Sequence, residues 1–126
     1  MNIIETQLED CLLIEPRVFE DERGFFLESF NLKQYENVLG STTTFVQDNH
    51  SKSRKGVLRG LHFQRNKPQG KLVRVIKGEI LDVVVDLRKS SSSYCRWQSF
   101  RISSKNKHQL WVPPGFAHGF VVLSEI

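Results

Sequence analysis

The sequence has few of the features that mark several large classes of protein. Cysteine occurs only at Cys11 and Cys95, with neither a CxxC motif nor the spacing of a zinc site, so we expect a reducing, cytoplasmic compartment. The first residues lack a basic segment followed by an apolar one, and no apolar run is long enough to span a bilayer. The sequence therefore predicts neither a secreted nor a membrane protein.

Several common catalytic and binding motifs are also missing. The chain contains no GxSxG, P-loop, GxGxxG or HExxH pattern. Its net charge of +4 comes from 18 Lys and Arg against 14 Asp and Glu, spread along the chain without the concentrated basic and aromatic face of a nucleic-acid binder. We expect no nucleic-acid partner, although a mild basic excess suits an anionic small substrate.

The chain does contain many short runs of apolar or alternating residues, separated by turn residues. Such runs are typical of all-β proteins. One helix is predicted, with Asn31 as its cap and Gly40 at its end. Gly78 indicates a hairpin turn, and the Ser-rich segment 89–93 a surface loop. Strands are predicted at 11–14, 25–30, 43–50, 57–63, 71–77, 80–86, 97–102, 109–112 and 117–123. With no repeat or linker, we expect residues 1–126 to form a single sandwich or jelly-roll barrel.

The segments GVLRGLHFQ and GKLVRVIKG together resemble the first motif of cupins, Gly-x5-His-x-His-x3-4-Glu-x6-Gly. Gly56, His62 and Gly78 satisfy the motif. Gln64 replaces the second His, and Lys71 stands where the Glu would be. An ammonium group is no metal ligand and repels a divalent cation, so the pattern predicts a cupin without a metal.

The segment WVPPGFAHGF carries the Pro-x-Gly-x-x-His turn of the second cupin motif, at Pro113, Gly115 and His118. We expect His118 to join His62 and Lys71 in one barrel mouth. A His beside a Lys suits proton abstraction next to a carbonyl, because the cation stabilises the enolate that forms. A metal-dependent dioxygenase cupin is disfavoured.

Strand alternation supports this placement of the lysine. Lys71 shares parity with Val73 and Val75, so it points toward an apolar interior. The alternative is a lysine at the start of the strand whose ammonium group extends to solvent. For His62, the alternative is a hydrogen-bonded core residue rather than a base.

Two further groups of polar residues are candidates for substrate contacts. Arg59 faces away from His62 in a regular strand, and both can line one site only if Gly60 permits a bulge. Gln47 and Asn49 alternate on one face of FVQDNH, which suggests a sugar or base contact. Strand-end amides that satisfy backbone groups, and a solvated arginine, remain the alternatives.

The chain resembles the dTDP-4-dehydrorhamnose 3,5-epimerase family through RGFFLESFN, FVQDNHSKSRKGVLRGLHFQ, QGKLVRVIKGEILDVVVDLRKSS and WVPPGFAHGFVVLSE. The resemblance implies a metal-free jelly roll, a homodimer, no cofactor and a dTDP-keto-deoxysugar substrate. His62 matches the family's general base, which would remove the protons at C3 and C5, each α to the C4 ketone. Lys71 matches the lysine that stabilises the enolate. The positions that match substrate-binding residues are Gln47, Asp48, Asn49, Arg59 and His118.

The resemblance also assigns a role to the N-terminal segment. Arg23 and Glu28 match contacts that the family delivers from a segment exchanged between subunits. Phe26 in the same segment is placed to stack on thymine. A homodimer would then be needed to complete each site.

One part of the family pattern lies outside the sequence given. The family's general acid is a Tyr beyond the VVLSE strand, followed by an Asp that orients the base. Tyr35 and Tyr94 match neither role, and we expect the natural chain to continue past Ile126. A related nucleotide keto-sugar isomerase or single-site epimerase, and a catalytically silent sugar-nucleotide-binding cupin, remain the alternatives.

Overall fold

The structure is a computed structural model that describes residues 1–40, 44–63 and 69–125. Within these ranges the chain forms ten strands and one helix. The elements in order are β1 Asn2–Glu5, β2 Leu12–Glu15, β3 Val18–Asp21, β4 Gly24–Leu27, α1 Leu32–Leu39, β5 Leu58–His62, β6 Lys71–Arg74, β7 Glu79–Asp86, β8 Trp97–Ser103, β9 Gln109–Val112 and β10 Phe116–Val122. No helix in the described part of the chain is long and apolar enough to cross a membrane.

The strands form a jelly-roll-like sandwich of two four-stranded antiparallel sheets. One sheet has the order β1-β2-β9-β6 and the other β5-β10-β7-β8, while β3 and β4 form a separate two-stranded hairpin. The buried core contains apolar side chains from both sheets, among them Leu110 and Val112 from the first and Val84 and Ile102 from the second. The all-β, cupin-type prediction is confirmed.

The helix begins and ends where the sequence predicts. Asn31 adopts an extended backbone, and its side chain accepts a hydrogen bond from the N–H of Gln34. Gly40 has φ 100°, and its N–H donates to the carbonyl of Glu36. Tyr35 is buried and donates to the side chain of Gln109 on β9. The helix is therefore anchored to the first sheet through one buried polar contact.

Three details of the sequence-based prediction are wrong. Residues 44–50 form no strand, while residue 43 lies outside the described ranges. Gly78 has the expected positive φ of 92°, but β6 and β7 belong to different sheets, so its turn connects the two layers instead of closing a hairpin. Ser93 is buried and its hydroxyl donates to Asp86, so segment 89–93 is not wholly a surface loop.

Strands β1 and β3 were not predicted. All four residues of β1 and three of the four in β3 are exposed, so neither strand shows the apolar alternation that marks a half-buried strand. Each is held by backbone pairing with its neighbour, β1 with β2 and β3 with β4. Their existence depends on tertiary partners more than on local pattern.

Candidate active site

Three of the residues singled out by sequence line one small cleft between the sheets. His62 comes from the end of β5 and His118 from β10, both in the second sheet, whereas Lys71 begins β6 in the first. Phe116 and Val112 contribute apolar walls. Two imidazoles and an ammonium group therefore meet on a partly apolar surface, where charges act more strongly than in bulk water.

A bulge in β5 brings His62 opposite His118. The two histidines are direct cross-strand partners, and Arg59 is the partner of Phe120. Three residue steps on β5 thus oppose two on β10, which is the register shift expected from an extra residue in one strand. Gly60, with φ 107°, lies within this extra stretch, at the position where the sequence permits a bulge, but the bulge does not bring Arg59 into the cleft with His62.

The bulge requires glycine on both strands. A Cβ on Gly60 would lie 2.6 Å from the Cα of Gly119 and 2.8 Å from the carbonyl oxygen of His118. A Cβ on Gly119 would lie 2.7 Å from the carbonyl oxygen of Arg59. All three obstructing atoms belong to backbone, which cannot rotate away. The alignment of the two histidines therefore depends on this close approach.

Lys71 lies on the inner face of the first sheet. It pairs with Val112, and Val73 on the same face pairs with Leu110. Val112 and Leu110 are core residues, and Val73 packs against that core. Lys71 itself is half-buried, so its ammonium group lies at the edge of the apolar interior, within the cleft.

His118 is held by a carboxylate that sequence reasoning missed. Its Nε2 is 2.7 Å from Oδ2 of Asp82, which is fully buried on β7. Burial raises the pKa of Asp82, and this effect is opposed by the hydrogen bond and charge of His118 and by the charge of Lys71. A usable signal was present, because Asp82 and Asp86 alternate with Val84 on the core face of ILDVVVD.

A second, larger cleft adjoins the first at Lys71. Gln47, Asp48 and Asn49 all line it, and Lys71 lines both clefts. The side chain of Gln47 donates to that of Asn49 over 3.2 Å, so the two amides are neighbours although their segment is not a strand. The amides and the carboxylate thus share the larger cleft with Lys71, which lines the smaller cleft together with the two histidines.

The other predicted site residues lie elsewhere. Arg59 donates to the hydroxyl of Ser53 and lines neither cleft. Arg23 is paired with Asp21 at the exposed tip of the β3–β4 hairpin. Phe26 on β4 is 70% exposed, and Glu28 just beyond β4 is exposed as well. Within one chain, the hairpin residues are not part of the site.

Two of the positions that hold the metal in the first cupin motif carry other side chains here, Gln64 and Lys71. The described residues contain no group of three or more His, Cys, Asp or Glu side chains that could hold a metal ion. Gln64, the substituted position of the first motif, lies outside the described ranges. The nearest carboxylate partner of His118, Asp82, points into the sheet interior and is fully buried.

Proteins of one family resemble this chain along almost its whole length. A profile of the dTDP-4-dehydrorhamnose 3,5-epimerase family matches residues 5–126. The dTDP-4-dehydrorhamnose 3,5-epimerase of Shigella flexneri is 59% identical over 126 residues, which are 99% of this chain and 70% of that protein. These two matches cover the histidine and lysine motifs together with the N-terminal segment.

Solved structures agree in fold. Legionella pneumophila dTDP-6-deoxy-D-glucose-3,5-epimerase in complex with dTDP-4-keto-L-rhamnose is 56% identical, with a TM-score of 0.94 over 98% of this chain and 66% of that one. A 3′-monoepimerase from Streptomyces bikiniensis in complex with dTDP-quinovose is 27% identical, with a TM-score of 0.87 over 95% of this chain and 61% of that one. The chain thus spans about two thirds of the length of these relatives. On its motifs, its fold and these matches, it belongs to the dTDP-4-dehydrorhamnose 3,5-epimerase family.

Proposed function

We propose that this cleft inverts C3 and C5 of dTDP-4-dehydro-6-deoxy-D-glucose to give dTDP-4-dehydro-L-rhamnose. The observation that carries the proposal is the meeting of His62 and Lys71 in one cleft from opposite sheets. His62 is the general base and Lys71 stabilises the enolate. The family membership and the sugar nucleotide in the Legionella relative support this choice of substrate.

Each inversion takes two proton transfers and needs no cofactor. The C–H bond next to the ketone breaks, its proton moves to the imidazole of His62, and its electron pair forms an enolate with the charge on the C4 oxygen. The ammonium group of Lys71 offsets that charge, an interaction that is stronger in the transition state than in the ground state. A general acid on the opposite face of the carbon then returns a proton and completes the inversion, a role that the resemblance to the family assigns to a Tyr beyond the VVLSE strand.

The larger cleft is proposed to bind the rest of the nucleotide sugar. Gln47, Asp48 and Asn49 offer donors and acceptors in the cleft that Lys71 also lines, and His118 offers a ring nitrogen in the smaller cleft. Arg59 is proposed to bind the pyrophosphate, since a guanidinium group can contact two anionic oxygens at once. Its present partner is a neutral hydroxyl, which it can release without leaving a buried charge unpaired.

We also propose a homodimer in which the β3–β4 hairpin enters the cleft of the partner. Phe19 and Phe26 are cross-strand partners on the hairpin, and they are 51% and 70% exposed. An exposed aromatic pair favours a docking surface. The hairpin would carry Arg23 and Glu28 to the substrate, and Phe26 would stack on thymine.

A cytoplasmic location is consistent with the two thiols. Cys11 is buried and Cys95 is exposed, and both are free. Burial raises the pKa of Cys11 to about 12, which keeps it an unreactive thiol at neutral pH. A reducing compartment preserves both groups in this state.

A single-site epimerase is the competing function, because the Streptomyces bikiniensis relative is named a 3′-monoepimerase. The identity of 59% to the Shigella 3,5-epimerase, against 27% to that monoepimerase, favours inversion at both carbons. The two functions differ in which carbons exchange their protons with solvent.

The test is NMR of dTDP-4-dehydro-6-deoxy-D-glucose incubated with the protein in deuterated water. We expect deuterium at both C3 and C5, together with the L-sugar product. Deuterium at one carbon would establish the single-site epimerase, and binding without exchange would establish a silent sugar-nucleotide-binding cupin. Exchange without inversion would mean that His62 and Lys71 form the enolate but no acid reprotonates its opposite face.

Two variants assign the roles within this experiment. His62→Ala should reduce exchange by about 10²-fold or more while dTDP still binds, and Lys71→Ala should slow exchange far more than it weakens binding. His108→Ala and Lys89→Ala, which change residues outside both clefts, are the matched controls. Wild-type exchange in His62→Ala would remove His62 as the base.

A further inference from the structure

Asp82 has no part in the chemistry proposed above, yet its carboxylate contacts the ring of His118 from the neighbouring strand. On β7, Val84 is the direct cross-strand partner of His118, and Asp82 is two residues earlier on the same face. Such diagonal neighbours are within reach of one another in an antiparallel sheet. The contact is a buried hydrogen bond of 2.7 Å between Oδ2 of Asp82 and Nε2 of His118.

We infer that Asp82 is a positioning residue that accepts a hydrogen bond from the Nε2–H of His118. This contact fixes the orientation of the ring and leaves Nδ1 to accept a hydrogen bond from a sugar hydroxyl next to the ketone. An ionised carboxylate can only accept, so it selects the tautomer that carries its proton on Nε2. The inference rests on the proposed function for the substrate. The bond between Asp82 and His118 is independent of it.

A second observation favours a role in the site over a role in the fold. Oδ1 of Asp82 is buried and has no hydrogen-bond partner among the described residues. An orphaned buried polar atom costs about 1 to 3 kcal/mol, and a native structure that keeps one calls for an explanation. The charge of Lys71 acts on Asp82 from the opposite sheet, so the carboxylate interacts with two residues that line the cleft.

The surroundings of Asp82 contain few other charges. The titratable groups that interact with it are His118 from β10, Lys71 from β6 and the Cys11 thiol next to β2. On β8 its cross-strand partner is Phe100, which is apolar. A carboxylate in this position stabilises one orientation of the His118 ring, but it adds little to the free energy of unfolding.

The sign of the stability effect follows from burial. Because burial raises the pKa of Asp82, the folded state resists ionisation, and stability falls as pH rises from 3.8 toward the folded value. Asp82→Asn removes that penalty and keeps the shape, so the variant should be as stable as the wild type at neutral pH, or more stable. The Asn side chain has an amide that can donate to Nε2, so the tautomer of His118 is no longer selected.

The experiment compares Asp82→Asn with Asp86→Asn. Asp86 is an equally buried aspartate on the same face of β7, but its partners are Arg88, Ser91 and Ser93. We expect exchange at saturating substrate to fall by about tenfold in Asp82→Asn, because part of the His118 rings then lack the tautomer that accepts from the sugar hydroxyl, with dTDP binding unchanged. Asp86→Asn should lose stability and, at a temperature where it stays folded, exchange at the wild-type rate.

Nitrogen-15 NMR of the His118 ring reads the tautomer directly, with the signal assigned from a His118→Gln variant. In mildly alkaline buffer the wild-type ring should be protonated at Nε2 only, and the ring in Asp82→Asn should show both tautomers. The same single tautomer and the same exchange rate in Asp82→Asn would overturn the inference. If the wild type shows no exchange, the proposed function fails, while a change of tautomer would still establish the positioning contact.

Discussion

The close approach of β5 and β10 makes Gly119→Ala a direct test of how the cleft is assembled. Gly119 does not have a positive φ, so alanine meets no backbone penalty there. Its Cβ would instead lie 2.7 Å from the carbonyl oxygen of Arg59, and ordinary contact begins at 3.4 Å. The strands must therefore separate by about 0.7 Å at this point. The perturbation is steric and confined to the bulge.

The expected magnitude follows from packing. Overpacking that neighbouring backbone cannot relieve costs about 1 to 3 kcal/mol. For a chain of this size, 1 kcal/mol corresponds to roughly 4 °C in Tm, so thermal unfolding should shift down by about 4 to 12 °C. Because the shift separates His62 from its partner His118, deuterium exchange should fall by about tenfold or more in the folded variant.

Gly56→Ala is the matched control at the other end of the same strand pair. Gly56 has φ 84°, and a Cβ there meets nothing within 4 Å, so alanine costs about 1 to 2 kcal/mol of backbone strain without crowding. Urea unfolding should show loss of stability in both variants, whereas only Gly119→Ala should lose exchange. A Gly119→Ala protein with the wild-type Tm would refute the close approach. A Gly119→Ala protein that loses stability but exchanges at the wild-type rate would refute the claim that this close approach aligns the two histidines.

Two further predictions concern a buried ion pair and the dimer. Burial alone would raise the pKa of Asp86, but hydrogen bonds from Arg88 and neighbouring serines hold it below its usual range. Its stabilisation is thus present above the unfolded pKa of 3.8 and lost as pH falls through the folded value, so Asp86→Asn should cost about 2 to 4 kcal/mol at neutral pH and progressively less in acid. Urea unfolding across pH measures this, with the exposed Asp21→Asn as control; a pH-independent loss would contradict it. If hairpins are exchanged, co-refolding inactive Arg23→Ala and His62→Ala chains in equal amounts should restore about a quarter of the wild-type exchange rate. About half of the dimers are then mixed, and each mixed dimer has one intact site of two. No recovery after co-refolding would contradict the hairpin exchange.

Local sequence was sufficient for elements whose signals are short-range. Asn31 and Gly40 marked the ends of the only helix in the described part of the chain, because a cap and a positive φ are decided within a few residues. Strand β9 was predicted with the bounds Gln109–Val112 that the structure has. The inward face of Lys71 followed from strand parity, which is also a local property.

Longer-range features were not accessible in the same way. The segment 44–50 alternates like a strand, but it lines a cleft without pairing in the described part of the chain. The turn at Gly78 has the backbone of a hairpin, yet it connects two sheets. Both errors arise because backbone pairing depends on which strands become neighbours, and periodicity carries no information on that.

The sequence by itself determined the family, the all-β class and the pair His62 and Lys71 as candidates for proton transfer, because motif spacing and residue chemistry are written in the chain. The tertiary structure alone decided that β7 places Asp82 behind His118. It also decided that a bulge at Gly60, opposite Gly119, aligns the two histidines. Asp82 and His118 are 36 positions apart, and they come into contact only when β7 pairs with β10. That pairing depends on how the two sheets of the sandwich pack together.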